Sequence, residues 1–237
     1  MKIRKKTAYI LGIVLYVIGL VLILFIAGST FMSDIEAVVY GFDDLSQGRF
    51  STLRCPPVLN RDETGTLRAT FSNPLDRAIQ PIVRADLSTR ILAQSTRTQI
   101  SLEPGQSQTL EWQVDQTNVD LGSFIFAKVY IYAVYPLPLR EATCGIFVIN
   151  LPYLTGVQWL SLALVLGLAC LGGGLILLAR ETHPLTGRPR ERLYALVALV
   201  IFVVAAVVCG LLGWWVLGGI LLIICILLMA VMLYLLS

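Results

Sequence analysis

Three stretches of this chain, residues 8–28, 154–179 and 193–236, contain no Asp, Glu, Lys or Arg. About 20 helical residues, rising 1.5 Å each, cross a hydrocarbon layer of roughly 30 Å. The first two stretches each suit one span. The third is about twice that length, so two helices must share it. They are expected to reverse over residues 213–219, where Gly213, Gly218 and Gly219 permit a turn and the Trp214-Trp215 pair suits a membrane interface. Composition agrees: 57% of residues are hydrophobic and 14% charged, whereas soluble domains sit near half apolar and about a quarter charged. The first stretch follows a basic start and ends on small residues, Ala27-Gly28-Ser29, as a cleaved signal peptide does. Its apolar core exceeds the roughly 7–15 residues of such peptides, so an uncleaved anchor is expected; cleavage would leave three spans.

Basic residues mark the cytoplasmic ends of spans. Lys2, Arg4, Lys5 and Lys6 precede the first stretch, and Arg180, Arg188, Arg190 and Arg192 lie between the second and third. Both sets belong inside. Residues 29–153 carry 10 basic and 13 acidic residues, a net of −3, and belong outside. The expected order is a basic N-terminus and first helix (1–28), an amphipathic connector (29–50), an extracytoplasmic β domain (51–152), a second helix (153–179), an Arg-rich cytoplasmic loop (180–192), a third helix (193–213), then an outer turn and fourth helix (214–237). The protein is expected in the cell membrane as a multi-pass chain with both termini cytoplasmic.

In the connector, Ser33-Asp34-Ile35-Glu36 has the spacing of a capping box and predicts a new helix start. Ile35, Val38, Val39 and Phe42 then form one apolar stripe, suited to packing as a connector or to lying on the membrane. From Ser51 the period becomes two, and about seven strands are expected. Leu67, Ala69 and Phe71 alternate with Arg68 and Thr70, and Val83, Ala85 and Leu87 alternate with Arg84 and Asp86. Turns are expected at Asn73-Pro74-Leu75-Asp76 and Glu103-Pro104-Gly105-Gln106. Leu110, Trp112 and Val114 share one strand face, with Trp112 in the core. The stretch Leu102-Glu103-Pro104-Gly105-Gln106-Ser107-Gln108-Thr109-Leu110-Glu111-Trp112 resembles the strand, Pro-Gly turn, strand pattern of bacterial and archaeal immunoglobulin-like modules of cell-surface proteins. The resemblance covers about a dozen residues in motif and about 100 in style, and implies an immunoglobulin-like sandwich with an adhesive or scaffolding role. It brings no functional residues.

Residues 124–135 form the longest strand candidate and are apolar on both faces. One face fills the sandwich; Phe124, Phe126, Tyr130 and Tyr132 on the other are expected to bind a protein partner unless the chain itself covers them. Cys55 and Cys144 fall outside the membrane, on strands that neighbour each other in many sandwiches, and an oxidising exterior favours a disulfide between them. In the chain-entropy model it would close a loop of about 90 residues and stabilise by up to about 4 kcal/mol. Cys170, Cys209 and Cys225 lie in spans as packing residues. Ala163, Gly167, Cys170 and Gly174 form a small-residue seam for helix packing in the second span, as do Ala198, Ala205, Cys209 and Gly213 in the third. Tyr153, Trp159, Tyr194 and Tyr234 lie near span ends, as interfacial aromatics do.

No catalytic, cofactor or metal site is expected. The single histidine, His183, lies in the Arg-rich loop, and the acidic pairs Asp43-Asp44 and Asp62-Glu63 read as solvated turns. The spans carry no ionisable group, and Gln158 and Ser161 are the main polar residues of the second. The Arg-rich loop is explained by topology, and neither nucleic acid nor a small-molecule substrate is expected. The expected role is a non-enzymatic accessory subunit or scaffold, surrounded by membrane lipid, whose β domain binds a protein, the transmembrane helices being the other surface open to a partner. The alternatives are a transport or channel component and an enzyme subunit active only within a complex.

Overall fold

In the computed structural model, which describes residues 2–40, 48–90, 93–132, 134–181 and 188–236, the chain divides into a helical unit, Met1–Phe31 with Gln158–Ser237, and a β unit, Met32–Val157. Helix α1 (Lys2–Val39) belongs to both. The expected break at residue 28 and new start at Ser33 are therefore corrected. Gly28 alone costs a helix only about 1 kcal/mol. The hydroxyls of Ser29 and Thr30 donate back to the Ile26 carbonyl at 3.0 and 3.1 Å inside the helix, and the Ser33 side chain is buried rather than capping a free end.

Among the described residues seven strands follow: β1 (Val58–Asn60), β2 (Gly65–Ser72), β3 (Ile82–Leu87), β4 (Gln94–Gln99), β5 (Ser107–Val114), β6 (Phe124–Ile131) and β7 (Arg140–Ile149). They form a five-stranded sheet in the order β1-β7-β6-β3-β4 and a two-stranded sheet β2-β5. All pairings are antiparallel except β1 with β7. The alternation read from the sequence sets the register: Leu67 opposes Trp112 and Ala69 opposes Leu110. Val83, Ala85 and Leu87 join Ile125, Ala127, Val129, Ile146 and Val148 in the core between the sheets, with Trp112 among them. The strand expected over residues 124–135 ends at Ile131, leaving β7 the longest. The two expected turns dock on each other through buried Asn73, whose side-chain amide donates to the carbonyls of Arg77, Leu102 and Glu103 at 2.7, 3.0 and 3.2 Å.

The helical unit adds α2 (Gly156–Glu181), α3 (Arg188–Leu211) and α4 (Trp215–Leu236). Among the described residues, α1, α2 and α3 are long and apolar enough to cross a membrane, and the apolar part of α4, Trp215–Ala230, is shorter. The expectation of four spans thus meets four helices, three of them long and apolar enough among the described residues, while α4 runs 22 residues in all. The turn between α3 and α4 is tighter than expected. Gly213, at φ +74°, reverses the chain and Trp214 N–H donates to the Cys209 carbonyl at 2.8 Å, while Gly218 and Gly219 lie inside α4.

Within this unit α1 touches each of the other helices. A Cβ placed on Gly19 would lie 2.7 Å from the Gly167 carbonyl oxygen of α2, and one on Gly174 would lie 2.7 Å from the Tyr16 nitrogen. The backbones approach this closely because those side chains are missing. The Tyr16 hydroxyl donates to the Leu196 carbonyl of α3 at 3.0 Å. Phe31 packs over Gly219 of α4. Of the expected packing seam, Gly167 and Gly174 meet α1, Ala163 is buried and Cys170 is half-buried.

Gly174→Ala is expected to destabilise the detergent-solubilised protein by about 1–3 kcal/mol through overpacking. Gly172→Ala, where a Cβ meets open space, should be neutral or stabilising by up to about 1 kcal/mol. Thermal unfolding of the two variants side by side checks the contrast.

Candidate functional site

Strand β6 has two buried faces. Ile125, Ala127 and Val129 fill the core, and on the opposite face Phe126 and Tyr130 are fully buried while Phe124 and Tyr132 are partly exposed. Phe126 and Tyr130 therefore form no free surface, and the expected four-residue docking patch is corrected: the chain covers them itself. Part of the cover is the end of α1. The Tyr40 ring, just past α1, lies 4.7 Å from the Phe126 ring, and Phe126 stacks on Phe124 at 5.9 Å. The Tyr40 hydroxyl donates to Asp120 Oδ2 at 2.5 Å. Burial, reinforced by that hydrogen bond and the charge of Asp120, pushes the Tyr40 phenol up to about 12.

Glycine again sets the approach. A Cβ on Gly145 of β7 would fall 1.8 Å from the Ser33 carbonyl oxygen, so the α1 backbone rests directly on the strand. The Gly145 N–H donates to Asp34 Oδ1 at 3.3 Å. Asp34 lies beyond the apolar run 8–28, in the β unit. Burial raises its carboxyl to about 6, against the opposing effect of the Gly145 amide.

A charged layer lies on the same face of the sheet. The ladder sets Asp86 opposite Lys128 and Arg84 opposite Tyr130. Arg84 Nε bonds Asp86 Oδ1 at 2.8 Å, the Ser95 hydroxyl donates to the same oxygen at 2.6 Å, and Lys128 Nζ lies 3.0 Å from Glu141 Oε2. Both cations approach the Tyr130 ring, the Arg84 guanidinium at 5.4 Å and the Lys128 ammonium at 5.3 Å from its centre. Two cations and two anions leave the layer neutral, as burial requires, since an unpaired buried charge costs several kcal/mol (about 3–5). Lys128 interrupts the aromatic face in the sequence, and with the alternating charges of β3 it was the available signal for this layer.

Cys55, three residues before β1, and Cys144 on β7 are joined as a disulfide, as their expected location outside the membrane implied. Glu63 does more than a solvated turn would. Its Oε2 accepts from Asn60 N–H at 3.0 Å and from Gly156 N–H, at the start of α2, at 2.7 Å. Asp43, Asp44 and His183 lie outside the described residues. Among the described residues no group of three or more His, Cys, Asp or Glu is placed to hold a metal.

No protein-family model matches the chain, and comparison with curated proteins gives no match. Among solved structures it is similar to the CARDB domain of the PF1109 protein of Pyrococcus furiosus, solved with di-metal ions, at 12% identity and TM-score 0.33 over 42% of this chain and 90% of that one. It is also similar to β-glucuronidase 2 of Bacteroides uniformis, at 11% identity and TM-score 0.32, covering 40% of this chain but 13% of the enzyme. The β-glucosidase EmGH1 of Erythrobacter marinus matches at 15% identity and TM-score 0.31, with 41% and 15% covered. Likenesses this slight carry no inference about activity, and the architecture rests on this chain's own strands.

The raised Asp34 carboxyl gives a pH dependence of defined sign. The folded state holds this proton more tightly than the unfolded chain, so the charge costs stability above about pH 6, and the cost fades as pH falls toward the ordinary value of 3.8. Asp34→Asn keeps an oxygen for the Gly145 amide. It is expected to stabilise by up to about 3 kcal/mol near pH 8 and by nothing near pH 4, read as the difference in denaturant midpoint from the parent protein across that range.

Proposed function

We propose that this chain is a non-enzymatic integral membrane protein, an accessory subunit or scaffold of a larger membrane assembly, whose β-sandwich binds a protein partner outside the cytoplasm. The observation that carries this reading is α1: a single helix whose first part is an uninterrupted apolar run and whose last turns are a packed element of the sandwich. Such a chain holds a folded domain at a bilayer surface. The basic residues before α1 and between α2 and α3 support cytoplasmic termini and an extracytoplasmic β domain, and the Cys55–Cys144 disulfide suits an oxidising exterior.

With Phe126 and Tyr130 buried, the partner surface in this reading moves to the corner where Val39 and Leu121, 69% and 62% exposed, flank the Tyr40–Asp120 hydrogen bond. Leu121 stands at φ +46°, a conformation costly for a bulky side chain, and its N–H donates to Asp120 Oδ1 at 2.8 Å. An apolar side chain held out on such a turn suits contact with a partner better than it suits solvent.

The test is recovery of the tagged protein in native lipid discs with quantitative mass spectrometry. A partner at constant stoichiometry is expected. Leu121→Asn, which suits a positive φ, should reduce that partner several-fold while the melting temperature holds or rises. Recovery of the protein alone or as a homo-oligomer would overturn the accessory reading; a partner retained in full by the variant would overturn the assigned surface.

A further inference from the structure

We infer that the loop between β7 and α2 is a membrane-interface anchor, with Tyr153 seated among the lipid headgroups. Tyr153 is 100% exposed and stands at φ +69°, a conformation that non-glycine residues adopt infrequently and that surrounding structure must hold in place. Two side chains hold it. The Asn60 amide donates to the carbonyls of both Leu151 and Leu154 at 2.5 Å, closing the loop from each end. Glu63 joins the Asn60 N–H to the first amide of α2. Gly156 lies so close to β1 that a Cβ there would meet the Val58 carbonyl oxygen at 2.4 Å. The loop is thus clamped to β1 on one side and to α2 on the other, and the aromatic ring is the part left outward.

Chain connectivity names the occupant. Tyr153 lies three residues before α2, which is long and apolar enough to cross a membrane. At up to about 3.6 Å per residue it stays within about 11 Å of the start of that helix, beside headgroup layers roughly 5–8 Å deep on each side of the hydrocarbon. A phenol ring combines an apolar body with a polar tip, which suits that layer, and the neighbouring Leu151 and Pro152 are also exposed. Asn60 and Glu63 act as positioning residues. Tyr135, 86% exposed past the opposite end of β6, lies in the β unit and serves as the solvent reference.

This inference rests on the membrane reading, and the experiment separates the two. Cys170, Cys209 and Cys225 are replaced by alanine with the disulfide kept, and a nitroxide is placed in turn at Tyr153→Cys, Tyr135→Cys and Leu166→Cys, the last an exposed residue of α2. The full chain is reconstituted in phosphatidylcholine–phosphatidylglycerol vesicles, and collisional relaxation by oxygen and by a water-soluble nickel chelate is compared. Position 166 is expected in hydrocarbon, 135 in water, and 153 between them with the nickel effect reduced at least threefold from 135. Asn60→Ala should return 153 toward the value at 135. Position 153 matching 135 while 166 is in hydrocarbon would overturn the anchor alone; 166 accessible to nickel as fully as 135 would overturn the membrane reading and the anchor with it.

Discussion

The structure depends on the missing side chain of Gly145. Any Cβ at that position would occupy the space of the Ser33 carbonyl, and α1 could then not lie on β7. With the helix against the strand, Asp34 reaches the Gly145 amide, Tyr40 reaches Asp120, and the Tyr40 ring covers Phe126. The same device recurs in the helical unit, where Gly19 of α1 and Gly174 of α2 let those two backbones approach, Gly167 receives the Ile23 side chain and Gly219 of α4 the Phe31 ring. One helix is therefore received by glycines in both halves of the molecule. In lipid this is the economical way to join helices, because apolar side chains gain little by leaving lipid for one another. On the sheet it serves a different end, replacing solvent over a face that carries both aromatic rings and charges.

That face separates what periodicity reveals from what it hides. The strands β2 and β5 alternate because one side meets the core and the other bears polar groups, and their core faces and the placement of Trp112 were legible. The apolar helices were legible for an equally simple reason, since long stretches without Asp, Glu, Lys or Arg stand out in the sequence. The alternating Arg84 and Asp86 of β3 did not reveal where their charges go, and Phe126 and Tyr130 were expected as a docking patch unless the chain itself covered them. Both belong to one buried layer in which each charge has an opposite across or along the ladder. Pairing between strands distant in sequence decides this, and a one-dimensional pattern does not contain it.

The boundary of α1 was missed for a local reason. Ser33 and Glu36 have capping spacing, yet a capping box acts only where a helix begins, and Ser29 and Thr30 satisfy their hydroxyls within a helix already under way. The turn at Gly213 was assigned to a longer glycine-containing stretch, while Gly219 serves packing against Phe31 instead. The disulfide was legible from compartment and strand adjacency. The Asn60–Glu63 clamp was not, because it depends on β1 and the start of α2 meeting across about 90 residues.

The account stands on α1 being one helix from its apolar run into the sandwich. Hydrogen exchange of the backbone amides of residues 26–40, measured by mass spectrometry on the protein in lipid discs, tests this most directly. Slow exchange through Gly28, Ser33 and Val39 without a gap is the predicted result. Fast exchange confined to residues 28–33 would mean two helices with a hinge, and would contradict the shared helix on which both the fold and the proposed function depend.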